Sequence, residues 1–323
     1  MIKLLSPQNG AYVSTLSAEH ADFLNSPSDT LENKAQCREN EDKSFPCPVR
    51  FCFEPQIDGS VVLTDAHGHT TEYAAHGGVA YVYNLFTGTE YSWYVRIGYM
   101  RSESSCFFTE SDVPRLLLVD GLSNVRDIGG YESSLGGRVR QGMVYRSSEL
   151  DCSRKITQSG IKTLVNELGI RTDLDLRGAN GEPVGAVLDS NVIRWVNFPM
   201  EAYSEIFTQE QKQLYRKSFE FLANKDVYPI VAHCQAGMDR TGTWIYVLGA
   251  LLGIDEGDLM SDYETSSFSV WGPRSRHSNT FQDFLKLFHS YGKSARLAAE
   301  GFLTDCGVSK TTIDKIRDIL VEI

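Results

Sequence analysis

The chain reads as an α/β domain with a mainly parallel central sheet flanked by helices, preceded by an all-β sandwich. The front portion is a series of short alternating runs broken by Gly, Asp and Asn turns, the spacing of a β-sandwich. Beyond residue 114, strand-like apolar runs alternate with helix-like ones, the order of a parallel sheet covered by helices. Near residue 234 an apolar strand passes through a short Gly-containing loop into an apolar helix, and open α/β sheets bind ligands where a strand ends in this way. At 323 residues the chain exceeds one typical domain, so residues 1–113 and 114–323 are expected to fold as two.

The candidate front strands are Val49-Arg50-Phe51-Cys52-Phe53, Ser60-Val61-Val62-Leu63, Val79-Ala80-Tyr81-Val82-Tyr83 and Tyr91-Ser92-Trp93-Tyr94-Val95-Arg96-Ile97. The stretch 25–46 is rich in Ser, Asn, Asp, Glu and Lys. It buries too little apolar surface to offset the entropy of ordering, and is expected to be an exposed, partly helical insertion. His67, His69 and His76 fall in or near loops but lack a clear fourth zinc ligand, so no metal is expected. Pro114 precedes Arg115-Leu116-Leu117-Leu118-Val119, a strand leading into the second domain.

In that domain the pattern gives a helix over 159–168, strands over 171–176 and 190–196, and a helix over 208–222 with Tyr215, Phe219 and Leu222 on or near its apolar face. A buried strand follows over 226–232 and a helix over 244–252. Helices over 281–288 and 311–323 close the chain, the last after a Ser309 cap.

The loop between the 226–232 strand and the next helix carries the chemistry: His233-Cys234-Gln235-Ala236-Gly237-Met238-Asp239-Arg240-Thr241-Gly242. The first amides of a helix are unpaired and its dipole is positive there, so backbone N–H groups of residues 235–240 can cradle a phosphate dianion. Gly237 lets the backbone come close. Arg240 offers a planar fork for two phosphate oxygens. A helix N-terminus and cationic neighbours favour thiolate over thiol, which makes Cys234 the candidate nucleophile. The expected reaction is attack on phosphorus, a phosphocysteine, and its hydrolysis by water, with no metal or other cofactor. Cys37, Cys52, Cys106, Cys152 and Cys306 lack such company and read as packing residues.

The pattern HCxxGxxRTG resembles the Cys-dependent protein tyrosine phosphatase superfamily, and HCQAGMDRTG is similar to its bacterial branch, whose loop usually reads HCxAGKDRTG. Asn124-Val125-Arg126-Asp127-Ile128-Gly129-Gly130-Tyr131, Val144-Tyr145-Arg146-Ser147-Ser148, Leu174-Asp175-Leu176-Arg177 and Asp262-Tyr263-Glu264-Thr265-Ser266 fit that branch in order. The resemblance implies Cys234 as nucleophile, Arg240 as phosphate clamp and Thr241 as hydroxyl donor to the departing sulfur. It implies Asp239 as general acid, with Glu201 and Glu205 as runners-up, because the segment some thirty residues before the cysteine holds no Asp. Beside Arg240 the acidity of Asp239 should instead increase, a tension that a bound phosphate would relieve. His233, Asp175, Arg177 and Arg126 are implied supports. The last three also read as internal salt bridges, or as a strand edge and a turn-ordering Arg126–Asp127 pair. Tyr83-Asn84-Leu85-Phe86-Thr87-Gly88-Thr89-Glu90-Tyr91 is similar to the fibronectin type III pattern, so the front domain is expected to engage a protein or glycan partner.

Met238 stands where the branch usually carries lysine, which weakens a phosphoinositide or dual-specificity reading and leaves phosphotyrosine in proteins or peptides as the expected substrate. A catalytically decayed phosphate-binding module is the alternative of another class. The net charge of −11 excludes nucleic acid as a partner and disfavours acidic membranes, so attraction of phosphate must be local, with Arg126, Arg146, Arg177 and Arg240 as the expected positive mouth. No apolar run reaches transmembrane length. An odd count of seven cysteines and a reactive thiolate favour the cytoplasm, with export as the alternative if a leader has been removed.

Overall fold

A computed structural model describes residues 1–25, 41–182 and 184–323. Its contacts divide the chain into two compact units, Met1–Asp22 with Pro46–Leu118, and Phe23–Phe45 with Val119–Ile323. The junction falls a few residues beyond the expected 113/114. Arg115 explains why: its guanidinium donates to the carbonyls of Leu85 (2.9 Å) and Asn84 (2.6 Å), and Asn84 accepts from the Leu118 amide at 2.7 Å. Most of the expected insertion at 25–46 lies outside the described residues, as does Cys37. Its described end is tied to the second unit, through the Lys43 amide on the Phe268 carbonyl and Arg154 on Asp42, both at 2.8–2.9 Å.

The first unit is built from β1 (Lys3–Ser6), β2 (Ala11–Val13), β3 (Val49–Glu54), β4 (Gly59–Asp65), β5 (Thr70–Ala75), β6 (Val79–Val82), β7 (Glu90–Ile97), β8 (Met100–Arg101), β9 (Ser105–Thr109) and β10 (Arg115–Leu116). One sheet runs β1-β3-β6 and a second β2-β9-β7-β4-β5, with β8 against β7. In β7 the alternation is strict: Tyr91, Trp93, Val95 and Ile97 are buried and the residues between them are not. Residues of both sheets share one core, where Phe51 of β3 meets Trp93 edge-on at 4.9 Å and Phe107 at 5.6 Å. Each such ring, fully buried, contributes roughly 1.5–3 kcal/mol.

The second unit contains β11 (Arg126–Asp127), β12 (Arg138–Val139), β13 (Val144–Ser147), β14 (Thr172–Asp175), β15 (Arg194–Asn197), β16 (Ile230–His233) and β17 (Val321–Glu322). Its main strands lie in the order β11-β13-β16-β14-β15, parallel except for β11. Because β16 inserts between β13 and β14, the chain ends of three parallel strands, at Ser147, Asp175 and His233, stand side by side. That is the switch point at which such sheets bind ligands.

The helices after the short α1 (Ala18–Leu24) are α2 (Gln158–Lys162), α3 (Gln209–Leu222), α4 (Arg240–Leu251), α5 (Glu256–Thr265), α6 (Asn279–Phe288), α7 (Ala295–Asp305) and α8 (Lys310–Leu320). From Thr241 to Leu251 every residue of α4 is buried, as a largely apolar central helix must be. Tyr246 on it meets Phe281, Phe284 and Phe288 edge-on at 5.4–5.9 Å. Three expectations shift. The helix after the loop begins at Arg240, not 244. The strand before it is confined to Ile230–His233, since a 3-10 turn occupies Lys225–Val227. The final helix stops at Leu320, because Val321 pairs with Val139. The sequence pattern does not distinguish helices α5 and α7. Among the described residues no helix is long and apolar enough to cross a membrane.

Candidate active site

The loop after β16 is shaped by donors that grip it from outside. The Gln235 carbonyl accepts from the Glu149 amide at 2.9 Å, the Ala236 and Gly237 carbonyls accept from Asn124 Nδ2 at 3.1 Å, and Gly237 also accepts from Arg146. A trans peptide sets its N–H opposite its C=O. Holding these three carbonyls outward therefore turns the amides of Ala236, Gly237 and Met238 the other way, toward the concave side. Only glycine fits at 237: its φ is +68°, and a Cβ there would lie 2.2 Å from the Ser147 carbonyl oxygen. Asp239 stands at the N-cap of α4, yet its side chain accepts from no helix amide. Of the first-turn amides, that of Gly242 closes on the Met238 carbonyl at 2.9 Å, which leaves those of Arg240 and Thr241 for an anion.

Beneath the loop lies a buried charge cluster. Arg126 Nε and Arg146 Nη1 each lie 2.6 Å from one oxygen of Asp262 on α5, and all three side chains are at least 93% buried. Ser266 Oγ accepts from both arginines at 3.1 and 3.4 Å. Burial would raise the Asp262 carboxyl, but the two guanidiniums hold it below its ordinary range. Burial, with Arg126 as a like charge, brings Arg146 down to about 10, so it stays charged at neutral pH. Two cations against one anion leave a positive excess under Cys234, which is itself 3% exposed.

His233 is also buried. Its Nε2 lies 2.9 Å from Asp173 and its Nδ1 3.9 Å from Asp175. Burial opposes a charged imidazole, yet Asp173 and then Asp175 push its pKa up to about 9. Thr241 Oγ1, on the first turn of α4, is buried without a hydrogen-bond partner. A buried hydroxyl left unpaired costs stability, and this one sits where the family resemblance places a donor to sulfur.

The expected positive mouth does not form. Arg126 and Arg146 are in the buried cluster. Arg177, 1% exposed, is gripped by Asp175 (2.9 and 3.0 Å), Asp151 (2.6 Å) and Glu149 (3.2 Å). Of the readings held open for Asp175 and Arg177, the structure has the internal salt bridge. Arg126 turns to Asp262, while Asp127 accepts from the Gly129 and Gly142 amides at 2.8 and 2.6 Å and orders the turn itself. Arg240 alone of the four stays at the loop, where Glu182 binds its guanidinium. Glu182 in turn accepts from the amides of Gly178 (3.0 Å) and Asn180 (3.1 Å). Burial would raise this carboxyl, but Arg240 draws it below its usual range.

Asp239 is clamped from the side by Arg274, whose Nε and Nη2 lie 2.7 and 2.8 Å from its two oxygens, and it accepts from the Tyr203 hydroxyl. Burial favours the neutral acid, but Arg274, Tyr203 and Arg240 hold Asp239 below the usual carboxylate range. Glu201 is half-buried and its charge reaches Arg240, whereas Glu205 is exposed on the 3-10 turn Tyr203–Phe207. Gln235 is exposed. Met238, standing in the loop where the branch usually carries lysine, is wholly buried with its sulfur 4.0 Å from Ser269 Oγ, and so brings nothing to the mouth. Glu149, Asp151 and Cys152 hold three metal-capable atoms within 4.8 Å of one another, but Arg177 already takes both carboxylates.

Glu182, Tyr203, Arg274 and Asp173 are site residues that sequence reasoning missed. Glu182 and Arg274 sit in loops without a motif, and their one signal was charge within otherwise Gly- and Ser-rich segments.

Residues 117–322 match the tyrosine phosphatase family. A protein of Cupriavidus necator named among the tyrosine-protein phosphatases is 26% identical over 175 residues, covering 47% of this chain and 63% of the relative. The triple specificity protein phosphatase PtpB of Mycobacterium tuberculosis is 29% identical over 121 residues, 29% of this chain and 44% of that protein. The chain thus spans less than two thirds of the length of either. The core catalytic domain of the PP-IP phosphatase SIW14 from S. cerevisiae, solved with citrate, is 20% identical, with 45% of this chain and 79% of that one covered at a TM-score of 0.33, too slight a likeness to bear on fold or function. The span matched by the family exceeds half the chain and takes in the whole Cys234 loop with its buried supports: the chain belongs to the tyrosine phosphatase family.

Proposed function

We propose that the chain hydrolyses phosphate monoesters, phosphotyrosine in proteins or peptides first among them, through a phosphocysteine. The observation that carries this reading is the outward tethering of the Gln235, Ala236 and Gly237 carbonyls, which leaves a ring of inward amides around Cys234 with Arg240 beside it. Such preorganised donors stabilise the equatorial oxygens of a transferring phosphoryl group without having to reorganise during reaction.

Cys234 Sγ attacks phosphorus. The S–P bond forms as the ester P–O bond breaks, and Asp239, once protonated, passes its proton to the leaving oxygen. Water then attacks the phosphocysteine, Asp239 takes up the proton, and Thr241 donates its hydroxyl to the departing sulfur. Arg240 exchanges Glu182 for two phosphate oxygens. His233, held charged by Asp173, and the Arg126–Arg146–Asp262 cluster keep the field beneath the sulfur positive.

Phosphotyrosine is preferred because Met238, turned into the interior, offers no cation to an inositol ring, although one relative is named for triple specificity. The first unit, with its two sheets and shared core, is read as a fibronectin type III-like module occupying the part of the chain before the phosphatase domain and binding a protein or glycan. Turnover of an aryl phosphate by the full chain, abolished in Cys234→Ser with phosphate binding retained, is the expected result. An inert wild type that still binds phosphate would make this a recognition module instead.

A further inference from the structure

The phosphocysteine reaction proposed for Cys234 requires a proton on Asp239, and the role inferred for Arg274 rests on that reaction. The geometry around Asp239 favours the opposite state of the acid. A carboxylate held by a two-pronged guanidinium stays ionised, and Arg274 holds Asp239 in this way at 2.7 and 2.8 Å. The clamp lies at the rim, for the side chains of Arg274 and Asp239 are 25% and 35% exposed. Only two of the five guanidinium donors are spent on Asp239. Nη1 meets the Pro273 carbonyl at 3.1 Å on the exposed side, while the Arg274 backbone is pinned by Ser267 Oγ at 2.8 Å. The other groups facing Asp239 are Tyr203 from its 3-10 turn, Tyr263 from α5, whose hydroxyl is 2.7 Å from that of Tyr203, and Arg240 from α4. Tyr203 adopts a φ of +55°, a strained conformation for a bulky residue. It is held there by its amide on Thr243 Oγ1 at 3.1 Å and by its hydroxyl on Asp239.

We propose that Arg274 makes the acid step conditional on a second negative group: a carboxylate beside the phosphotyrosine of a peptide draws the guanidinium off Asp239, so that Arg274 determines specificity by holding the acid back until such a group binds. The released carboxyl, partly buried beside a phosphate dianion, takes a proton from solvent and delivers it to the tyrosine oxygen as the P–O bond breaks and the S–P bond forms. Arg274 returns to Asp239 when the peptide leaves. A peptide fits better than a membrane, since a chain of net charge −11 is repelled by an extended anionic surface, whereas one flanking carboxylate needs one local cation.

The test uses the full chain and two phosphotyrosine peptides that differ only in Asp against Asn next to the phosphotyrosine, with kcat and KM followed across neutral pH. The wild type is expected to turn over the Asp peptide about tenfold faster in kcat, with an alkaline limb at higher pH than for the Asn peptide. Arg274→Gln is expected to raise kcat on the Asn peptide, remove the preference, and raise KM for the Asp peptide. Arg274→Lys, which keeps the charge but not the fork, should fall between. Equal kcat on both peptides in the wild type overturns the proposal without any variant, and so does an Arg274→Gln that slows both alike, as a merely structural residue would. A soluble inositol bisphosphate headgroup cleaved faster than either peptide in an Arg274-dependent way overturns the assignment to peptides. An aryl phosphate with a good leaving group separates the two levels. Cys234-dependent cleavage of it with no peptide preference leaves the phosphatase reading standing and sinks this one, whereas no cleavage at all removes both.

Discussion

Two side chains at the loop have states that the proposed reaction would complete. Thr241 Oγ1 is buried without a partner, and under the proposed mechanism the sulfur leaving a phosphocysteine would be the acceptor it lacks. Thr241→Val is expected to slow breakdown of the intermediate by roughly tenfold, the worth of one hydrogen bond to a charged atom, so that radiolabelled phosphocysteine accumulates in quenched turnover; an unchanged level would remove the role. Arg240 is engaged by Glu182, 24% exposed and fixed by two amides. Since a partly exposed pair is worth about 1 kcal/mol at most, Glu182→Gln should tighten vanadate inhibition by no more than about fivefold. Weaker inhibition would show that Glu182 organises Arg240 rather than competing with the ligand.

Between elements, strand β13 that bears Arg146, strand β11 that bears Arg126 and helix α5 are joined by one carboxylate. Asp262 on α5 answers both guanidiniums at 2.6 Å. Asp262→Ala would leave two buried like charges without a counterion, which costs about 3–5 kcal/mol. The expected readout is a lower denaturant midpoint at unchanged slope, with the loop loosened through Gly237, which Arg146 holds. A shift smaller than about 1 kcal/mol would mean that water reaches the cluster. The same cluster explains why the sequence motifs around Arg126, Arg146 and Asp262 were visible while their purpose was not. Each is a charged residue in a short run, and a charge reads equally well as surface or as a mouth until a partner some 116 to 136 positions away is known.

For the protein in its entirety, pH ties stability to the site. His233 has a pKa raised to about 9 by Asp173, above the value near 6.5 of an unfolded histidine. Its contribution is therefore complete below about pH 6.5 and is lost as pH rises through about 9. Asp262, lowered in the fold, contributes above its unfolded value and loses that contribution as pH falls through its folded one. Thermal melts of Asp173→Asn are expected to differ from wild type most at about pH 6 and least above about pH 9. A difference that grew with pH would show that His233 is neutral in the fold. The −11 net charge gives no long-range attraction for phosphate, and with Arg126, Arg146 and Arg177 buried in ion pairs, the proposed capture rests on the loop amides and Arg240.

Composition and order along the chain were enough to recognise four β-strands of the front portion, the β/α alternation behind them, and the Cys234–Arg240 loop at a helix start. These are local properties: alternation in β7, an apolar run in β16, a glycine at 237 and an arginine six positions after a cysteine are each legible within a dozen residues. The identity of the counterions lay beyond that reach. Arg177, read both as a mouth residue and as half of an internal salt bridge, is the latter; Met238, read as a loop residue standing in for a lysine, is core; Asp239, implied as general acid against the pull of Arg240, is clamped as well by Arg274, 35 positions on. Charge state and exposure depend on what the fold brings within about 4 Å, because Coulomb attraction and desolvation act through space, and that pairing is settled when the strands and helices pack.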